Sequence, residues 1–213
     1  CSGRPGTARR GAPRPWLQSV AWRAARSAST SSATWPSVTT SGGVTKFGTS
    51  TLTLGGTNNS FTGGLTINDG TVIFTNDNQL GASGGVIRFG GSSSALTYNG
   101  ASSLAFNRPI ESTTLAILNG LVSQRWQLNQ AITGAGGVRF STSSATIELN
   151  AANTYTGPTV IGNGDLPFVY ATGDASFGNG GEILFNGGTI VQRADWTSSR
   201  LIHVTSGNGT LVN

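Results

Sequence analysis

The sequence predicts an all-β chain wound as a right-handed, single-stranded parallel β-helix, a β-solenoid of about seven to nine coils. Three observations predict it: short strands of period two, glycine- and asparagine-rich punctuation between them, and an internal repeat of roughly 94 residues. Composition sets the frame. The 213 residues include 32 glycines, only 10% charged and 36% hydrophobic residues, one cysteine and no methionine. Low charge with low hydrophobicity fits neither a disordered polyelectrolyte nor an ordinary α/β enzyme. It fits many short strands joined by tight turns, where Gly supplies corners and Asn, Ser and Thr satisfy nearby backbone groups.

The first 40 residues stand apart. They hold six arginines (Arg4, Arg9, Arg10, Arg14, Arg23, Arg26) and no acid, whereas residues 41–213 hold seven basic and eight acidic residues. The basic character therefore belongs to an Arg/Ala/Ser-rich tail, read as disordered or as a mis-called start, with at most a short helix over Trp16–Ala28. The tail lacks the apolar run and small-residue cleavage site of a secretory signal. In the body, Lys46 is the one lysine and the arginines are scattered, which speaks against nucleic-acid binding. Cys1 is alone, so no intrachain disulfide forms. No stretch approaches the roughly 20 apolar residues of a membrane helix.

From Ser41 onward alternation takes over. Thr51-Leu52-Thr53-Leu54, Leu65-Thr66-Ile67-Asn68, Ile87-Arg88-Phe89, Trp126-Gln127-Leu128, Ile147-Glu148-Leu149, Ile183-Leu184-Phe185 and Ile202-His203-Val204 each read as a strand with one dry and one wet face. Gly55-Gly56, Asn68-Asp69-Gly70, Gly90-Gly91, Asn99-Gly100, Asn119-Gly120 and Gly187-Gly188 mark the turns. No 12-residue window carries a convincing helical period.

The repeat decides the architecture. Residues 42–74 match residues 136–168: Val44 answers to Val138, Leu52 and Leu54 to Ile147 and Leu149, Phe61 to Tyr155. The correspondence continues through Leu80-Gly81 and Phe177-Gly178, Ile87 and Phe89 and Ile183 and Phe185, and Arg108 and Arg200, at offsets of 92 to 97. With roughly 20–25 residues per coil the unit is about four coils. Inward residues then ladder into a narrow core and outward Thr, Asn and Ser into a polar surface, over a rod about 35–40 Å long. The repeat also admits two tandem immunoglobulin-like sandwiches, although the strands are short and the aromatics few for such cores. The natural protein is expected to continue beyond Asn213, as a longer rod.

The segments GTSTLTLGGTNNSFTGGLTINDGTV and SSATIELNAANTYTGPTVIGNGDL resemble the autotransporter-associated β-strand repeat. Asn153-Thr154-Tyr155-Thr156-Gly157 matches that family's turn closely, and Asn59-Ser60-Phe61-Thr62-Gly63 is a looser copy. Pro158, Pro167 and Ala145 depart from the pattern and put local strand boundaries in question. The resemblance implies a secreted passenger, exported through a C-terminal β-barrel and exposed on a bacterial surface. The residues that carry the motif are Leu52, Leu54, Asn59, Phe61, Gly63, Gly64, Ile147, Leu149, Asn153, Tyr155 and Gly157. The implied role is structural or adhesive, toward a host or abiotic surface, glycans or neighbouring passengers, with the absent barrel as the sole membrane link.

No cofactor, metal or catalytic set is expected. The acids (Asp69, Asp77, Glu111, Glu148, Asp165, Asp174, Glu182, Asp195) are spread along the chain, and Asp77 and Asp174 recur at equivalent places, as turn-capping residues do. His203 is the single histidine, expected to point outward from its strand, and supports neither a metal cluster nor a triad. Gly134–Gly137 lacks the Lys-Ser/Thr of a phosphate loop. Outward Thr49, Thr51 and Thr53 form the kind of ladder any wet strand carries, and Trp126 and Trp196 are read as packing residues rather than stacking platforms. The competing function is a carbohydrate-active or glycan-binding β-helix, whose chemistry needs carboxylates converging in one groove.

Overall fold

The structure, a computed structural model, describes residues 33–121, 123–142, 145–205 and 207–213. Most of the Arg-rich tail, with the helix expected over Trp16–Ala28, lies outside them. Among the described residues the chain forms short strands and two 3-10 turns, Asp77–Leu80 and Asp174–Phe177, and no α-helix. The strands join three parallel sheets, each one face of a solenoid of about eight turns.

The longest face has nine strands: Ala33–Trp35, Thr51–Leu54, Thr71–Phe74, Ala95–Tyr98, Leu115–Gly120, Gly137–Thr142, Thr159–Ile161, Glu182–Phe185 and Leu201–Val204. A six-stranded face is built from Leu104–Phe106, Arg125–Leu128, Thr146–Leu149, Phe168–Ala171, Thr189–Gln192 and Thr210–Val212. A five-stranded face holds Val44–Lys46, Leu65–Ile67, Ile87–Phe89, Ile110–Ser112 and Ile132–Thr133. Register partners lie one turn apart, from 19 residues (Ala33 to Leu52) to 24 (Val72 to Leu96). Nine strands make eight steps, about 38 Å at ~4.8 Å each. Parallel pairing throughout rules out the tandem sandwiches, which are antiparallel.

Alternation fills the interior. Leu52, Val72, Leu96, Leu118, Phe140, Ile161 and Phe185 form one continuous buried ladder up the nine-stranded face. Leu104, Trp126, Ile147, Val169 and Ile190 form another up the six-stranded face. Phe74, Tyr98, Phe106 and Trp126 pack between them with ring centroids 5.4 to 6.2 Å apart. Each fully buried side chain of this size contributes roughly 1.5–3 kcal/mol. Trp126 is thus core, and Trp196 packs half-buried against Phe177.

Two details depart from the sequence reading. The outward rows are not uniformly polar: Ala95, Ile117, Arg139, Val160 and Leu184 stack in one outward row of the nine-stranded face. Conversely Lys46 takes an inward place below Ile67, where its ammonium donates to the carbonyls of Phe47, Gly48 and Asp69. Burial pushes its pKa down, partly opposed by the Asp69 charge. Pro158 and Pro167 do not break strands; each stands just ahead of one, where a missing N–H costs no ladder bond.

The repeat is longer than four turns. Four rungs up the five-stranded face from Val44, through Leu65, Ile87 and Ile110, the chain reaches Ile132, 88 residues on. Val138 lies six residues further, on the nine-stranded face. Each equivalent element moves in the same sense: Leu52 is on the nine-stranded face and Ile147 on the six-stranded one. The second copy therefore sits four and about one third turns after the first, rotated by one face.

Candidate functional site

The motif residues gather where a face has no strand. Residues 55–64 occupy the place of the six-stranded face in an early turn, and residues 150–158 the place of the five-stranded face in a late one. Leu52, Leu54, Ile147 and Leu149 are buried in the strands just before. In both gaps an asparagine replaces the missing ladder. Asn59 is buried; its Oδ1 accepts from the Val38 amide at 2.6 Å and its Nδ2 donates to the Gln79 carbonyl at 2.5 Å. Asn153 repeats this, accepting from the Ile132 amide at 2.7 Å and donating to the Ser176 carbonyl at 2.6 Å. Each amide group thus ties its own turn to the turn before and the turn after, and its backbone N–H adds a bond to Asn78 or Ala175.

Two residues on, Phe61 and Tyr155 are fully buried under the glycine ending the 3-10 turn of the next coil. Gly81 and Gly178 hold φ of 84° and 71°, and a Cβ on Gly81 would stand 2.5 Å from the Phe61 ring. The chain can cross the ring there only without a side chain. Gly63 and Gly157 make the following corner, donating to the Gly42 and Gly136 carbonyls at 3.0 Å. Gly64 and its counterpart Pro158 each accept from the valine one turn earlier, Val44 and Val138.

Asp195 is exposed, and the other acids are held by cations or turn amides. Arg108, 1% exposed, grips the Asp77 carboxylate with Nε and Nη2 at 2.8 and 3.0 Å and donates to the carbonyls of Asp77, Leu80, Gly81 and Ala82. Arg200 takes Asp174 in the same way, Nε to Oδ1 at 2.8 Å, and reaches the Gly178 and Gly180 carbonyls. Burial pushes the Asp174 carboxyl up, but hydrogen bonds from Arg200 and Ser198 and the Arg200 charge hold it below its ordinary value. Asp69 accepts from the Gly70 amide, and Asp165 from the Asn163 amide and the Ser141 hydroxyl. Glu111 pairs with Arg88 at 3.1 Å, and Glu182 faces His203 at 3.6 Å. His203 stands outward as expected, about half exposed.

One cluster was not legible beforehand. Glu148 points outward from the six-stranded face, yet it is 1% exposed because Arg125, Gln127 and Arg193 close over it. Arg193 reaches back two turns across Tyr170, its guanidinium carbon 4.8 Å from the ring centroid. The residue pairs Asp77–Arg108 and Asp174–Arg200 had a signal in sequence, because both partners recur. The Glu148 cluster has none, since its members come from separate turns. Among the described residues no three Asp, Glu, His or Cys side chains come together as a metal site would need.

Two segments, residues 44–74 and 142–166, match the family model described as passenger-associated-transport-repeat. They contain the two asparagine junctions. No curated protein and no solved structure matches the chain.

Proposed function

Because the chain carries two copies of the passenger-associated-transport-repeat, the repeat family of autotransporter passengers, we propose that it is a structural segment of an exported passenger, a stiff rod held outside the cell for reach and contact. The observation that supports this best is where the motif's polar chemistry goes. Asn59 and Asn153 join three turns apiece, and Asp77 and Asp174 anchor Arg108 and Arg200 across two. The recurring groups serve winding, which needs only neighbouring coils and suits a chain that folds as it emerges from a narrow exit. A carbohydrate-active enzyme would instead need carboxylates free to act as acid and base. Here Glu148, Asp77 and Asp174 are tied to arginines.

The test is display. The chain is fused ahead of a translocator barrel with an epitope inserted at Gly84, an exposed corner with open space around it. The epitope should be labelled on intact cells and lost on brief external protease treatment. Labelling only after permeabilisation would overturn the reading. Attachment of those cells to abiotic and host surfaces, compared with barrel-only cells, then separates a contact role from reach alone.

A further inference from the structure

We propose that the outer surface of the six-stranded face, centred on Phe168, Tyr170, Arg125 and Arg193, is a platform for a strand of acidic polysaccharide.

Four features converge there. The first is an exposed ring: Phe168 is 47% exposed in an outward row otherwise made of Arg125, Thr146, Thr189 and Thr210. Nothing in the fold requires an aromatic at that place, since the residue points away from the core. The second is Tyr170, two residues on, whose ring is already braced by the Arg193 guanidinium. Aromatic rings present flat apolar faces, on which the C–H face of a sugar ring can stack. The third is charge. Two arginines share the single buried carboxylate of Glu148, both through Oε1, which leaves the cluster with one net positive charge. Their side chains are 56% and 35% exposed, so the guanidiniums are reachable from solvent.

The fourth is the edge of the platform. Asn150 donates to Asn129 at 2.8 Å and Asn129 to Asn107 at 3.0 Å, forming an amide ladder beside the Tyr170 row. Gln127 donates to Glu148 and lies on the same surface. Together these offer stacking rings, amides for hydroxyl groups, and guanidiniums for carboxylates or sulfates, for which Arg is well shaped. The rungs repeat every ~4.8 Å along the rod, a step comparable to one sugar residue in an extended chain. A polymer lying along the axis would therefore meet several rungs at once and gain by multivalency. A nucleic acid would want a longer basic stripe than two arginines.

The proposal rests on the passenger reading only for where such a polymer is met; binding itself belongs to the isolated chain. The experiment is affinity electrophoresis and calorimetry of the 213-residue chain with polygalacturonate, and with neutral dextran as the uncharged probe. Wild-type chain should be retarded by polygalacturonate and not by dextran, with retardation falling as salt rises. Phe168→Ala should weaken binding about tenfold while leaving the melting temperature unchanged. Arg125→Gln/Arg193→Gln should weaken the salt-dependent part, the share carried by the six tail arginines remaining in every variant; if that variant unfolds, Phe168→Ala still decides. Arg88→Gln, on the five-stranded face, should bind as wild type. No retardation, equal retardation by dextran, or a loss in Arg88→Gln equal to that in Phe168→Ala would overturn the assignment. None of these outcomes bears on display, which the labelling of intact cells reads separately.

Discussion

The Tyr155 hydroxyl lies 2.5 Å from the Thr159 hydroxyl in the interior of the solenoid, and in the first copy of the repeat the same two places hold Phe61 and Leu65. Where the ring carries an oxygen its neighbour carries one too, and where it carries none the neighbour is apolar. A buried hydroxyl without a partner costs roughly 1–3 kcal/mol, so the two positions change together. Burial also pushes the Tyr155 pKa well above its ordinary value. Thr159→Val alone should destabilise by about 1–3 kcal/mol. Tyr155→Phe/Thr159→Val should cost less than the sum of its single changes by about 1 kcal/mol. Urea unfolding of the four chains measures the cycle, and strict additivity would contradict the pairing.

The asparagine junctions should be sensitive polar positions. Asn153→Ala leaves the Ile132 amide and the Ser176 carbonyl without partners, an expected loss of about 2–4 kcal/mol. Asn59→Ala should behave likewise through Val38 and Gln79. Denaturant midpoints at constant slope give the values. A cost under ~0.5 kcal/mol for either would show that the junction does not hold the turns together.

Gly81 and Gly84 compare a crowded glycine with an open one. Both have positive φ, 84° and 76°, but a Cβ on Gly81 meets the Phe61 ring whereas one on Gly84 meets nothing within 4 Å. Gly84→Ala should cost about 1–2 kcal/mol, the left-handed backbone penalty alone. Gly81→Ala should cost clearly more, and Gly81→Ala/Phe61→Leu should recover part of the excess. Equal losses in the two single variants would contradict the ring-over-glycine packing.

Asp174 gives a pH signature. Its folded-state pKa lies below the ordinary 3.8, held there against burial by the hydrogen bonds of Arg200 and Ser198. Its contribution to stability is therefore complete above the unfolded value and is lost as pH falls through the folded one. Wild-type chain should lose more stability than Asp174→Asn between pH ~5 and pH ~2.5. Parallel acid curves for the two would remove Asp174 from the account.

Much of the fold was legible because alternation survives in short strands. Leu52, Ile147 and Phe185 fall inward as their period demands, and Gly-rich pairs fall at corners. Lys46 broke the rule because its tip finds three backbone carbonyls at a turn, a local satisfaction that periodicity cannot register. Val160 and Ile117 broke it from the other side, since a wide parallel face shields its own outward side chains. The Asn59 and Asn153 positions were visible as a motif, but not their bonds, because the partners lie about one turn away in each direction. The Glu148 cluster was invisible for the same reason, since Arg193 joins Glu148 from 45 residues away. The rotation of the second copy could be read only once the coil length was known, since an offset near 94 divides evenly by no coil of 22.

The central claim, that this is a parallel solenoid whose second repeat sits one face on from the first, is tested most directly by paired cysteines in a Cys1→Ser background. Ile117 and Arg139 are register partners, at a strand spacing near 5 Å that a disulfide spans. If the unit were four whole turns, Arg139 would instead stack on Glu111. Ile117→Cys/Arg139→Cys should form an intrachain disulfide under mild oxidation while Glu111→Cys/Arg139→Cys should not. Cross-linking of the second pair in place of the first would contradict the account.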